Sequence, residues 1–227
     1  MPGIQPIRSR VTLEVLSAAE LAEIKAATLH VLEHVGVRFP SKSARRVFAD
    51  HGACADHNSH VVKIPADLVL EALSHAPRSY TLGGRTEWAD LRLDGTCSYF
   101  GTDGCGVETI DFVTGTRRPS CKADVARMAH VSDYLSSIAF YWPMVSAQDY
   151  GALAPLHELD ASFNNTAKHV QTETVMGAKA AHYAVRMAEV IAGDSQHLRK
   201  RPPLSALICT IAPLGQDREG IEAAMVY

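Results

Sequence analysis

The sequence predicts an α/β fold: a parallel sheet covered by helices, arranged as a partial (β/α)8 TIM barrel behind an N-terminal helical extension. Three observations predict it. After about Ser79, strand-like segments alternate with longer amphipathic ones. The strand segments are almost continuously apolar, as strands buried on both faces are. No GxGxxG or GxxxxGK[ST] follows any of them, which sets aside the nucleotide-binding open sheets and favours a barrel.

The elements follow in order. Ser17, Ala18, Ala19 and Glu20 have the form of a capping box, and Leu21, Ile24, Leu29, Leu32 and Val35 continue at helical spacing to Gly36. A second helix is expected from about Ser41 to Asp50. VVKIPADLVLEALSHAP then reads as a short strand and a proline-started helix. Residues 1–78 form this extension and residues 79–227 the barrel part. His30 and His34 have i, i+4 spacing but lack the further ligands that zinc needs, and they read as surface histidines.

YTLGGR and LRLDGT read as a hairpin with glycine turns, and CSYFGTDGCGVETIDFVTGTRRPS as strands broken by loops. KADVARMAHVSDYL is a helix turning Val125, Met128, Ala129 and Leu135 inward, and SSIAFYWPMV is a buried strand ended by Pro143. LAPLHELDASFNN is helical and AKHVQTE is the third strand. TVMGAKAAHYAVRMAEVIAG is a helix with Val175, Ala178, Tyr183, Val185, Met187, Val190 and Ile191 in its apolar faces. LSALICTIAPL is a fourth buried strand, and DREGIEAAMVY opens another helix. About four βα units stand against the eight of a closed barrel, so the expectation is the front half of a longer enzyme.

Composition narrows the function. Hydrophobic residues are 47% of the chain, charged residues 21%, and the net charge is −3, as in soluble globular proteins. The basic run Arg199, Lys200, Arg201 is short and reads as a solvated surface, so no nucleic-acid partner is expected. Cys54, Cys97, Cys105, Cys121 and Cys209 are odd in number and form no CxxC, the pattern of reduced thiols in the cytoplasm. Neither an h-region nor a run of about 18 apolar residues is present, so no membrane partner is expected, and no metal ligand set is visible.

In a barrel, side chains at the carboxyl ends of the strands build the site. The two-residue strand period puts His169, Gln171 and Glu173 on one face and Lys168, Val170 and Thr172 on the other. Phe100, Tyr141 and Trp142 would supply aromatic walls suited to an alkylated ammonium, whose diffuse charge is stabilised by ring faces. Two readings stay open for each of several residues. The three aromatics are pocket wall or barrel core; His169 is a polar donor or a core histidine pinning a loop through a backbone carbonyl; Asp103 is functional or a turn residue satisfying its own backbone.

Three stretches carry a resemblance: HVLEHVGVRFPSKSARRVFADHGACAD, VKIPADLVLEALSHAPRSYTLGGR and YFGTDGCGVETIDFVTGTRRPSCKADVARMAHVSDYL. The chain resembles, from about Leu16 onward, the trimethylamine methyltransferase family of corrinoid-dependent methyltransferases. The resemblance implies a TIM barrel with an N-terminal helical extension, in members about twice this length. It implies transfer of a methyl group from a methylated amine, trimethylamine or a quaternary amine such as glycine betaine, to the cobalt of a corrinoid (EC 2.1.1 class). The corrinoid is carried by a separate protein, and none is bound directly by this chain. Archaeal trimethylamine members use pyrrolysine in the second half of the barrel; members without it act on substrates such as glycine betaine, the reading preferred here. Under it Phe100, Tyr141 and Trp142 face the ammonium, His169 and Gln171 donate to a substrate carboxylate or water, and Glu173 sits at the mouth. No catalytic residue is transferred, and a homo-oligomer is expected at full length.

Two other readings stay open. One is a hydrolase or lyase using His169 with Glu173 or Asp103 as acid and base, active without a corrinoid protein. The other is a truncated, non-catalytic fragment with exposed sheet edges.

Overall fold

The computed structural model describes residues 3–104 and 106–227, so Cys105 lies outside the described residues. Helix α1 (Ala18–His30) begins at the expected box: Ser17 Oγ accepts from Glu20 N, and the Glu20 carboxylate accepts from Ser17 N at 2.7 Å. A π turn over Val31–Val35 leads to Gly36. There follow β1 (Val37–Arg38), α2 (Lys42–Asp50, capped by Ser41), β2 (Cys54–Ala55), β3 (Val61–Lys63) and α3 (Ala66–His75). Val37, Phe39, Ala44, Ala53, Val62 and Ile64 form their shared core.

The chain continues through the hairpin β4 (Tyr80–Leu82) and β5 (Leu91–Leu93), then β6 (Phe100–Gly101) and a second hairpin, β7 (Glu108–Ile110) and β8 (Arg117–Pro119). Next come α4 (Lys122–Tyr134), β9 (Ile138–Tyr141), α5 (Ala154–Asn165), β10 (His169–Thr172), α6 (Ala178–Ala192), α7 (Ser195–Lys200) and β11 (Leu204–Ala206). The short strands β12 (Thr210–Ile211) and β13 (Gly215–Gln216) precede α8 (Arg218–Ala224).

Strands β6, β9, β10 and β11 form one parallel sheet in chain order. Each strand lies beside its predecessor and the order never reverses, unlike a doubly wound sheet. The fold is mixed α/β; the four strands do not close on themselves. Helices cover one face. Val125 and Ala129 of α4 pack with Tyr141, Val145 and Ala161, while Leu159, Phe163, Ala181, Ala184 and Ala188 pack with Val170 and Leu204. Each large aliphatic side chain buried here contributes about 1.5–3 kcal/mol.

Three expectations need correction. Tyr183 and Val190 are exposed, because the buried stripe of α6 runs Ala181, Ala184, Ala188 and residues two further on turn about 200° away from it. Leu135 is exposed because it caps α4 and leaves the helical stripe. LSALICTIAPL is not one strand. Leu207 N donates to Thr172 O at 2.8 Å, and beyond it the chain leaves the parallel sheet. It turns back through Ala212, Pro213 and Leu214, so β12 pairs antiparallel with β13. These strands belong to a second sheet, ordered β12-β13-β1-β3-β2, in which Gly215 of β13 sits opposite Arg38 of β1.

Among the described residues no helix is long and apolar enough to cross a membrane, and Cys54, Cys97, Cys121 and Cys209 are free thiols.

Candidate functional site

The register of the parallel sheet sorts its side chains. His169 is opposite Phe140 and Gln171 opposite Ser205, whereas Val170 is opposite both Tyr141 and Leu204. Partners in register share a side, so Phe140, His169, Gln171 and Ser205 occupy the inner face and Tyr141, Val170 and Leu204 the helix face. Between the inner face and the β4–β5 hairpin lies a cavity of about 330 Å³, lined by Tyr80, Leu82, Leu91, Tyr99, Phe140, Gln171 and Ser205 among others. Phe140 lies across Gly101: a Cβ there would stand 2.2 Å from the ring, so the site needs a glycine.

The amino end of this face is locked. His169, fully buried, has Nδ1 3.0 Å from Gly83 O and Nε2 2.9 Å from Ser205 Oγ. A carbonyl only accepts, which puts the proton on Nδ1 and leaves Nε2 to accept from the Ser205 hydroxyl. Burial pushes the imidazole pKa down to about 4, so the ring is neutral. It pins the β4–β5 hairpin, as does Arg201, which binds Asp90 through Nε at 2.7 Å and a terminal nitrogen at 2.6 Å. Arg201 of the basic run is therefore a structural ion pair, not a solvated charge. On the helix side, the buried Lys168 ammonium donates to the carbonyls of Ser132, Leu135 and Ile138 at 2.6–2.8 Å, and burial lowers its pKa.

The carboxyl end is a set of loops stitched to each other. Thr102 Oγ1 donates to Trp142 O at 2.7 Å and accepts from Trp142 N at 2.8 Å. Gly106 N donates to Met144 O, and Ser146 N to Gly106 O. A Cβ at Gly104 would fall 1.9 Å from Pro143 O, so this approach too requires glycine. Asp103 accepts from Gly104 N at 2.9 Å, a turn contact. Ser120 Oγ donates to Ser146 O, and Glu158, buried in α5, accepts from Ser146, Ala147 and Thr174.

Of the residues singled out in the sequence, Gln171 lies on the inner face, and Trp142 and Glu173 directly follow β9 and β10 at this end. All three are half-buried. His169 shares the face but lies at its amino end. Tyr141 is fully buried behind the sheet, where its hydroxyl donates to Val125 O at 3.1 Å and burial pushes its pKa up. Phe100 is 61% exposed on the open edge strand. Sequence reading missed Phe140, because Ile138–Tyr141 is apolar throughout and shows no phase. It missed Glu158 too, although an acid on the Ala154, Ala161 stripe of α5 was a legible signal.

A singly wound parallel sheet in unreversed order with helices on one face defines the class as α/β. The comparisons narrow this class. The chain belongs to the trimethylamine methyltransferase family, whose model, described as Trimethylamine methyltransferase (MTTB), matches residues 3–227. It is 36% identical over 199 residues to the trimethylamine methyltransferase MttB of Desulfitobacterium hafniense, covering 87% of this chain and 40% of that protein. It is 31% identical over 212 residues to MttB2 of Methanosarcina mazei, covering 90% and 42%. A glycine betaine methyltransferase of Desulfitobacterium hafniense is 24% identical over 215 residues, covering 94% and 44%. The chain thus spans about two fifths of the length of these curated relatives.

Proposed function

We propose that this chain is the N-terminal part of a methyltransferase that takes a methyl group from a methylated amine, with glycine betaine or trimethylamine as the substrate class. In this reading residues 79–227 are the first half of a (β/α)8 barrel and residues 1–78 its helical extension. The observation that carries it is membership of a family named for this chemistry; Phe140 and Gln171 on the inner face, with Trp142 and Glu173 directly after β9 and β10, supply the candidate groups.

The acceptor would be the cobalt(I) of a corrinoid on a separate protein, a second substrate that takes the methyl group while the C–N pair stays on nitrogen; a quaternary ammonium then leaves as a neutral amine, whereas trimethylamine must first be made cationic, by a proton or otherwise. With a quaternary ammonium no protein acid is needed. The chain's own work is binding and orientation. Trp142 and Phe140 offer ring faces to the ammonium, an attraction of about 0.5–2 kcal/mol per ring. Gln171 donates to a carboxylate or to water, and Glu173 balances charge at the rim. Phe100 and Tyr141 support the aromatic wall from the edge and from behind. His169, with both nitrogens engaged by Gly83 and Ser205, acts by holding the hairpin under the pocket.

The test is to incubate the protein with glycine betaine or trimethylamine and cob(I)alamin, following corrinoid absorbance and amine product together. Methylated corrinoid appearing in step with demethylated amine is the expected result. Amine breakdown that proceeds without any corrinoid would contradict the proposal and favour acid-base chemistry.

A further inference from the structure

The loops after β9 and β10 carry Trp142 and Glu173, and one buried side chain joins them. Glu158 lies in the second turn of α5 and is 1% exposed. Its Oε1 accepts from Ser146 Oγ at 2.6 Å and from Ala147 N at 3.3 Å, and its Oε2 accepts from Thr174 Oγ1 at 2.6 Å. Ser146 and Ala147 belong to the connection after β9, and Thr174 to the connection after β10. Ser146 extends the link further, since its carbonyl accepts from Ser120 Oγ at 2.7 Å and its N–H donates to Gly106 O at 2.8 Å. The loops after β9 and β10 thus meet at this carboxyl group, and the loop after β6 joins them through Ser146.

All three partners of the carboxyl group are donors, and none of the ion pairs among the described residues includes Glu158. A carboxyl group buried among Ala154, Leu159 and Ala161 without a cation is an expensive choice where a leucine would fill the stripe. Its partners are also telling. They come only from the two mouth loops, and Ser162 Oγ takes the backbone carbonyl of Glu158 rather than its side chain.

We propose that Glu158 is a positioning residue that sets the spacing of the Trp142 and Glu173 loops, and hence the shape of the mouth. The role as a loop tether stands on the hydrogen bonds alone; its effect on ligand affinity rests on the proposed function. Gln is expected to substitute well, because the hydroxyls of Ser146 and Thr174 rotate to donate or accept, while Ala leaves all three donors without a partner.

The experiment pairs hydrogen exchange, read by mass spectrometry over residues 142–147 and 173–177, with calorimetric affinity for glycine betaine. It compares wild type, Glu158→Ala, Glu158→Gln and Thr174→Val. In Glu158→Ala both segments should exchange at least tenfold faster while the amides of β9 and β10 keep their protection, and affinity should fall at least tenfold. Glu158→Gln should stay within about threefold of wild type on both readouts, and Thr174→Val should release only residues 173–177. Unchanged exchange in Glu158→Ala would overturn the proposal. So would a loss of protection spread evenly over the sheet and shared by Glu158→Gln, which would make Glu158 a core residue. If wild type bound no methylated ammonium, the proposed function would fall while the exchange comparison still decided the tether.

Discussion

Lys168 and His169 are neighbours in the chain but serve opposite faces of one strand. The Lys168 ammonium holds three carbonyls at the turn between α4 and β9, so Lys168→Met removes a charged donor from all three, the Ser132 carbonyl contact being the buried one. A loss of about 3 kcal/mol is expected in urea denaturation, with no change in the slope. A loss below 1 kcal/mol would mean that water replaces the ammonium. His169 gives a pH signature. Its folded pKa, about 4, lies below the ordinary 6.5, so the unfolded chain binds the extra proton between these values. Stability from this group is complete above pH 6.5 and is lost as pH falls toward 4, on the order of 3 kcal/mol in all. His169→Gln should flatten denaturation midpoints between pH 4 and 6.5; an unchanged slope would contradict the neutral, buried ring. The shared face of His169 and Gln171 was legible from alternation in AKHVQTE. The depth of each residue along the strand was not, since alternation fixes side and not height.

Among the elements, α1–α6 and α8 were legible because their caps and stripes are local, whereas the six-residue α7 (Ser195–Lys200) was missed. Ser17 with Glu20, and Ser41 before α2, mark their own helix starts. The two-residue strands β1, β2, β12 and β13 were not, since each exists only through a partner far along the chain. The β7–β8 hairpin shows how such a piece is fixed. Arg118 grips Asp124 at the start of α4 with two hydrogen bonds of 2.7 and 2.9 Å and reaches Asp111 through Nε at 3.3 Å. Arg118 holds the Asp124 carboxyl well below the usual carboxylate range. Arg118→Ala should therefore cost about 2 kcal/mol, less than a fully buried pair, because Arg127 also contacts Asp124 and Arg118 is part-exposed. Faster amide exchange over residues 107–119, with α4 unchanged beyond its first turn, is the expected readout. Exchange that matches wild type would show that the pair does not hold the hairpin.

For the whole molecule, the parallel four-stranded sheet and the five-stranded sheet share one chain, and β13 returns to pair with β1, so the first and last parts of the sequence are joined. The parallel alternation and absence of phosphate cradles pointed to the α/β class, and helices do cover one face of a sheet in unreversed order. The inner face is what the sequence described least well. The aromatics seen from sequence at the β9 end were Tyr141 and Trp142, but the register turns Tyr141 to the helices and Phe140 to the cavity. That leaves Trp142, directly after β9, as the aromatic on which the proposed ammonium site depends. The most direct measurement is calorimetric titration of the protein with glycine betaine and with trimethylamine, repeated on Trp142→Ala. The account predicts saturable heat that weakens at least tenfold in the variant while its melting temperature changes little. Absence of heat with either amine, or equal affinity in Trp142→Ala, would contradict a methylated ammonium held at this mouth.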